Sequence, residues 1–374
     1  MPVVLLVFGT RPEAIKMAPV YFELARRSNL EVKICVTGQH REMLDQVCQV
    51  FGLVPDYDLN VMSKDQSMPD LCAKLIKKIS AVYGRLKPDM VLIHGDTMTT
   101  LTASIAAYFA RVPIGHIEAG LRSYDIYSPW PEEFNRRVAS IITKLHFAPT
   151  KRAFENLVVE GIPADDVIIT GNTVIDALMK ISSELKDDKT LFNSLERRFK
   201  IPDGQTLILV TGHRRESFGQ GFKEICLALK DLALSRPEVK IVYPVHLNPN
   251  VRAPVNEILD GVSNVDLIEP LSYTEFTFLM MKAFLILTDS GGIQEEAPAL
   301  NKPVLVMRDT TERPEALEVG VAKLVGTDRK KIFDEVCMLL NNPASYNAMA
   351  QAANPFGDGT ASVLIANKIE EYFS

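Results

Sequence analysis

The sequence predicts an α/β protein of two doubly wound domains, each built on a parallel sheet, facing each other across a cleft. Three observations predict it. Short aliphatic runs alternate with amphipathic helix patterns along the whole chain. The runs of the first half are largely continuously apolar rather than alternately apolar and polar, which suits strands covered on both faces. A polar, charge-rich stretch from Ser183 to Gly204 separates the runs into two series.

In the first series the strand candidates are Val3–Phe8, Val32–Val36, Met90–His94, Ile114–Ile117, Leu145–Phe147 and Val167–Ile169. In the second they are Leu207–Thr211, Lys240–Pro244, Val265–Ile268, Leu285–Thr288, Pro303–Val306 and Ala322–Val325. Helix patterns separate nearly all of them, as right-handed crossovers between parallel strands require. Thr173-Val174-Ile175-Asp176 reads as a capped helix start, so the junction falls at Gly171-Asn172. The first domain is then 1–171 and the second 172–359. The turn Pro355-Phe356-Gly357-Asp358-Gly359 returns the chain, and a last helix within 360–374 joins the first domain.

The 374 residues suffice for two ordinary domains. With 47% hydrophobic and 24% charged residues the composition is that of a soluble globular protein. The net charge of −6 gives no support for a nucleic-acid partner, so an anionic substrate must be held by local cations and helix ends. The five cysteines form no C-x-x-C pair and read as reduced thiols in a cytoplasmic protein. The N-terminal apolar run lacks a basic flank and a cleavage site, and reads as a core strand rather than a signal peptide. No run is long enough to span a bilayer. The histidines show no metal-ligand spacing, and neither a Walker A sequence nor a G-x-S-x-G elbow occurs.

The most informative segment is Leu285-Ile286-Leu287-Thr288-Asp289-Ser290-Gly291-Gly292-Ile293-Gln294-Glu295-Glu296. A strand stops and a helix starts at two glycines, so backbone N–H groups approach a ligand where the helix end favours an anion. Two glutamates read as lying in the first turn are unwelcome beside a phosphate alone. A ligand bearing both a phosphate and a diol explains them, with Glu296 on the ribose and Glu295 balancing the dipole. That combination points to a nucleotide-sugar.

Other strand ends carry complementary groups. Gly9 closes the first strand, Pro12 pre-sets the helical turn, and Arg11 and Lys16 stand near the strand's carboxyl end. Asp96 and Glu118 each follow a strand directly. Asp96 reads either as a cap for the helix near Thr99 or as a site acid. Glu118 precedes no helix and reads as a site acid. Glu132 and Arg136 are four apart on one helix and suit an ion pair. Gly212-His213-Arg214-Arg215 ends another strand in cations suited to a diphosphate. Arg313, before a Pro-initiated helix, completes an anion site beside Gly291 and Gly292.

Together these residues resemble the non-hydrolysing UDP-N-acetylglucosamine 2-epimerases of bacterial type. The resemblance runs from Val7 to about Gly359 and rests on FGTRPEAIKMAP, GQHREMLDQV, HGDT, HIEAGLR, SPWPEE followed by NR, GNTVIDAL, GHRRES, PVHLNPNVR, TDSGGIQEEAP and RDTTERPEA. It implies two Rossmann-like domains of the GT-B type, a UDP site in the second domain, a homodimer, and no nicotinamide or metal cofactor. It implies catalytic roles for Asp96, Glu118, Glu132 and His213. It implies nucleotide-sugar contacts from Arg11, Lys16, Arg136, Phe276, Ser290, Gly291, Gly292, Glu296 and Arg313. Gln39, Arg214 and His246 fit the pattern of a second, activating UDP-GlcNAc site. Leu271 departs from the family's glutamine in the uracil loop, removing one side-chain contact to the base.

The chemistry implied is interconversion of UDP-GlcNAc and UDP-ManNAc. The C2 proton of the sugar is not beside a carbonyl, so direct abstraction is strongly uphill. Breaking the C1–UDP bond first gives C1 oxocarbenium character and makes the C2 proton acidic. Cations must then meet the leaving UDP, and carboxylates must flank the ring. Competing readings are a GT-B UDP-sugar glycosyltransferase, a hydrolysing epimerase and a non-catalytic UDP-sugar sensor. The cluster of acids in the first domain weighs against the transferase and the sensor.

Overall fold

The computed structural model describes residues 1–374 except 39, 40, 63–65 and 203, and of residue 42 only the backbone. The chain forms two compact units. The first comprises Met1–Ala177 and Phe356–Ser374, and the second comprises Leu178–Pro355. The division falls inside the helix Thr173–Asp187.

The first unit carries β1 (Val3–Phe8), β2 (Glu31–Val36), β3 (Tyr57–Asp58), β4 (Met90–His94), β5 (Ile114–Ile117), β6 (Leu145–Ala148) and β7 (Val167–Ile169). They pair in the order β3-β2-β1-β4-β5-β6-β7, all parallel. β1 and β4 are buried almost throughout, which accounts for their unbroken apolar sequence. β3 escapes a sequence reading because it is two residues long and one of them is Asp58.

The second unit carries β8 (Thr206–Thr211), β9 (Val239–Pro244), β10 (Val265–Ile268), β11 (Leu285–Thr288), β12 (Val304–Val306) and β13 (Ala322–Leu324). Their order is β10-β9-β8-β11-β12-β13, again all parallel. Each unit is a Rossmann-like doubly wound sheet with intervening helices, as the alternation predicts. The strand order reverses between β1 and β4 in the first and between β8 and β11 in the second. Crevices at such reversal points, beyond the carboxyl ends of the strands, are where ligands bind in this architecture.

The returning segment belongs to the first unit by specific contacts. The Asn172 amide donates to the Phe356 carbonyl at 2.7 Å. The terminal helix Ala361–Phe373 packs on the helix Arg11–Ala25. Arg27 reaches Asn367 at 2.8 Å and Glu370 at 3.2 Å. Asp176 caps the terminal helix, accepting from the Ser362 amide at 2.7 Å and the Ser362 hydroxyl at 2.6 Å. Among the described residues no helix is long and apolar enough to cross a membrane.

Candidate active site

The first unit gathers its charged groups at the β1/β4 reversal. Thr10 caps the helix Arg11–Ala25, and Glu13 completes a capping box. Glu13 is 2% exposed. One of its oxygens takes the amides of Gly9 and Thr10 at 2.9 and 2.8 Å, and the other takes the Thr97 hydroxyl at 2.7 Å. It therefore ties the turn after β1 to the turn after β4. Burial raises its pKa, against the pull of those hydrogen bonds.

Arg11 opens this helix, and Lys16 lies one turn further, paired with Glu118. Glu118 is buried, with a left-handed backbone at φ 61°. A non-glycine residue held there carries a strain of about 1–3 kcal/mol, which a binding or catalytic role often explains. The Asn172 side chain donates to Glu118 at 2.8 Å. His94 Nε2 stands 4.0 Å from the same oxygen. Burial drives the His94 pKa down to about 3, so this ring is neutral.

Two readings of spacing are corrected here. Arg136 does not pair with Glu132; it pairs with Asp96 and lies 3.8 Å from Glu118. Lys16, Glu118, Arg136 and Asp96 thus alternate in sign. Coulomb attraction across the site outweighs the i,i+4 contact along one helix surface. Asp96 is not a helix cap either: Thr97 caps the helix Met98–Ala110, accepting from the Thr100 amide at 3.3 Å. The Asp96 carbonyl instead takes the Asn135 side chain at 2.8 Å. Glu132 begins the helix Glu132–Ile142, and its side chain joins none of these contacts. Its neighbour Glu133 accepts from the Ser123 amide at 3.0 Å.

The second unit's groups gather at the β8/β11 reversal. The helix Gly291–Ala299 begins at the predicted glycines, and its N-cap Ser290 makes no side-chain capping bond. Glu295 and Glu296 lie beyond the first turn, because the helix already opens at Gly291, four residues before Glu295. Their roles also differ from a simple dipole balance. Glu295, 1% exposed, is paired with Arg313, so Arg313 is anchored one turn along the helix. Glu296 accepts the Tyr273 hydroxyl at 2.8 Å. Phe276 is half-buried on the helix Tyr273–Lys282, and Leu271 is buried just before it.

His213 follows β8. Its amide and that of Arg214 both donate to Asp289, at 2.6 and 2.7 Å. The His213 ring stacks on His246, with centroids 5.3 Å apart and planes at 15°. Burial lowers the His213 pKa, and the Asp289 carboxylate opposes that shift. Arg308 is buried between Glu216 at 2.5 Å and Glu312 at 3.2 Å. It braces the loop after β8 against the loop after β12. Gln39 lies outside the described residues. Asn172, Asp289, Glu13 and Tyr273 are contacts that spacing alone did not reveal. Asp289 had a signal, since it follows a strand directly as Glu118 does.

Paired doubly wound units, with acids and cations at one reversal and a glycine-led helix end at the other, define a nucleotide-sugar enzyme of the GT-B fold class. The family model for UDP-N-acetylglucosamine 2-epimerase matches residues 22–370. The UDP-N-acetylglucosamine 2-epimerase of Escherichia coli K12 is 54% identical over 359 residues, covering 96% of each chain. That of Yersinia pestis is 52% identical over 370 residues, covering 99% of this chain and 98% of its own. The crystal structure of the Neisseria meningitidis UDP-GlcNAc 2-epimerase bound to UDP-GlcNAc superposes with a TM-score of 0.92 at 51% identity, covering 99% and 100% of the two chains. The Methanocaldococcus jannaschii enzyme, in complex with UDP-GlcNAc and UDP, gives 0.80 at 31% identity and 99% of each chain. The chain belongs to the UDP-N-acetylglucosamine 2-epimerase family, and it is an isomerase.

Proposed function

We propose that this enzyme interconverts UDP-GlcNAc and UDP-ManNAc by eliminating and re-adding UDP. The observation that carries the reading is the alternating cluster of Lys16, Glu118, Arg136 and Asp96 at one reversal point. A positive sugar needs carboxylates held ionised and aimed, and a leaving diphosphate needs cations.

In the first step a carboxylate takes the C2 proton. The C2–H electrons form the C1–C2 double bond, and the C1–O bond breaks with its pair leaving on UDP. The product is 2-acetamidoglucal, formed by anti elimination. In the second step a proton returns to the opposite face of C2, and a UDP oxygen re-forms the bond to C1 by syn addition. Asp96, Glu118 and Glu132 share the acid, base and cation-stabilising roles. Arg11, Lys16 and Arg136 assist from the first unit. The second unit holds the nucleotide through Ser290, Gly291, Gly292, Glu296, Arg313 and Phe276, and His213 meets the departing phosphate. The enzyme acts as a cytoplasmic homodimer without a cofactor.

A second UDP-GlcNAc at Arg214 and His246 activates the enzyme. The stack of His246 on His213 supports this, since a ligand on one ring reaches the other. A hyperbolic dependence of rate on UDP-ManNAc overturns it.

The deciding experiment is incubation with UDP-GlcNAc alone in D₂O, followed by NMR. Expected are UDP-ManNAc, deuterium at C2 and little free UDP. No C2 exchange indicates a transferase or a sensor, and accumulating UDP indicates a hydrolysing enzyme.

A further inference from the structure

We propose that Asp289 is a positioning residue for His213, fixing its imidazole in the tautomer protonated at Nδ1 and leaving Nε2 to exchange a proton with the departing diphosphate. The inference rests on the reading of His213 given above.

Asp289 is 2% exposed and directly follows β11 at the reversal point of its sheet. Its two oxygens are used differently. Oδ2 accepts both loop amides, from His213 and Arg214. Oδ1 is buried and makes no hydrogen bond, and it lies 3.4 Å from His213 Nδ1. A buried carboxylate oxygen without a donor is unfavourable, and the neighbouring ring nitrogen satisfies it by a small rotation. A carboxylate only accepts, so the nitrogen facing it must carry the hydrogen.

A face of the ring is also covered. His246 stacks against it, and His246 Nδ1 accepts the Asn248 amide at 3.1 Å, so its own orientation is set by its loop. His213 is thus held between a stacking partner and an acceptor. The negative charge of a bound diphosphate, added to that of Asp289, favours a second proton on Nε2. That N–H donates to the leaving oxygen as the C1–O bond breaks. The arrangement is the logic of an oriented catalytic imidazole, reached by a carboxylate that also holds the histidine's own backbone.

The test uses the full chain labelled with ¹⁵N-histidine, with the His213 signals identified by their loss in His213→Asn. In the unsubstituted enzyme above the His213 pKa, Nδ1 is expected to be protonated and Nε2 bare. In Asp289→Asn the carbonyl still takes the two amides, but the side-chain N–H now faces Nδ1. The proton is expected to move to Nε2, and kcat to fall about tenfold or more with KM little changed. In a His213→Asn background the same substitution adds no further loss. A bare Nδ1 in the unsubstituted enzyme overturns the proposal, and this measurement stands even if Asp289→Asn does not fold. An unchanged tautomer in Asp289→Asn overturns it as well. If His213→Asn keeps full turnover while the tautomer still shifts, the link to Asp289 holds and the leaving-group reading of His213 fails.

Discussion

Asp176 accepts both the amide and the hydroxyl of Ser362, residues separated by nearly half the chain. One carboxylate at the start of an internal helix therefore caps the helix that returns from the second unit. Replacing it with alanine leaves the amides of Ala361 and Ser362 without that acceptor. Asp176→Ala should cost about 1–3 kcal/mol. The urea midpoint should fall, and hydrogen exchange should quicken first in Ala361–Phe373. Unchanged exchange there would show that packing alone holds the helix.

Acid should weaken the first unit before its carboxylates titrate. His94 and His146 are pushed by burial to about 3 and about 4, and His116 well below its usual value. Their folded pKa values are depressed, so the unfolded chain binds protons first. The stability they contribute is present above about pH 6.5 and is lost as pH falls toward the folded values. Each site contributes a slope of up to about 1.4 kcal/mol per pH unit. Urea midpoints measured from pH 7.5 to 5 should fall below 6.5, and His146→Leu should flatten the curve. A midpoint independent of pH over that range contradicts the assignment.

Asn172 donates a side-chain hydrogen bond to Glu118 at 2.8 Å. Asn172→Asp sets a like charge beside it and should raise the pKa of the acid limb in the kcat profile. Asn172→Ala should lower kcat about tenfold with the profile's shape kept, since one hydrogen bond is worth about 1–1.5 kcal/mol. Full activity in both variants would remove Asn172 from the site.

The two adjacent glutamates of the second unit should separate experimentally. Glu295→Gln breaks a buried pair with Arg313 and should cost about 3 kcal/mol of stability. Glu296→Gln should leave the melting temperature nearly unchanged and weaken UDP binding about tenfold, if Glu296 holds the ribose. Calorimetric titration with UDP and thermal melts decide it, and identical behaviour of the two variants would refute the division.

The strands were legible because burial on both faces keeps runs such as β1 and β4 almost wholly apolar. β10 and β11 match the predicted residues at both ends, whereas β3 has too few residues to carry a pattern. The candidate site acids drew attention for a related reason. An Asp or Glu at the end of an apolar run has few structural uses; Glu118 directly follows β5, and Asp96 follows β4 after one glycine. Their partners were not legible. Helical spacing relates Arg136 to Glu132, while the fold gives it Asp96, from another strand end. Asp289 also follows a strand directly, but the glycines beside it drew attention to backbone amides instead. Asn172 lay at an apparent junction, where its side chain had no visible purpose.

The return of Phe356–Ser374 to the first unit has a consequence for biosynthesis. The ribosome begins that unit before the second and finishes it after, because all of Leu178–Pro355 is made in between. At roughly 5–20 residues per second this is a delay on the order of ten seconds or more. During it the nascent sheet that bears Glu118 and Asp96 stands without its closing helix, while the second unit is free to complete itself. A chain halted anywhere in that interval ends with its earliest portion unfinished.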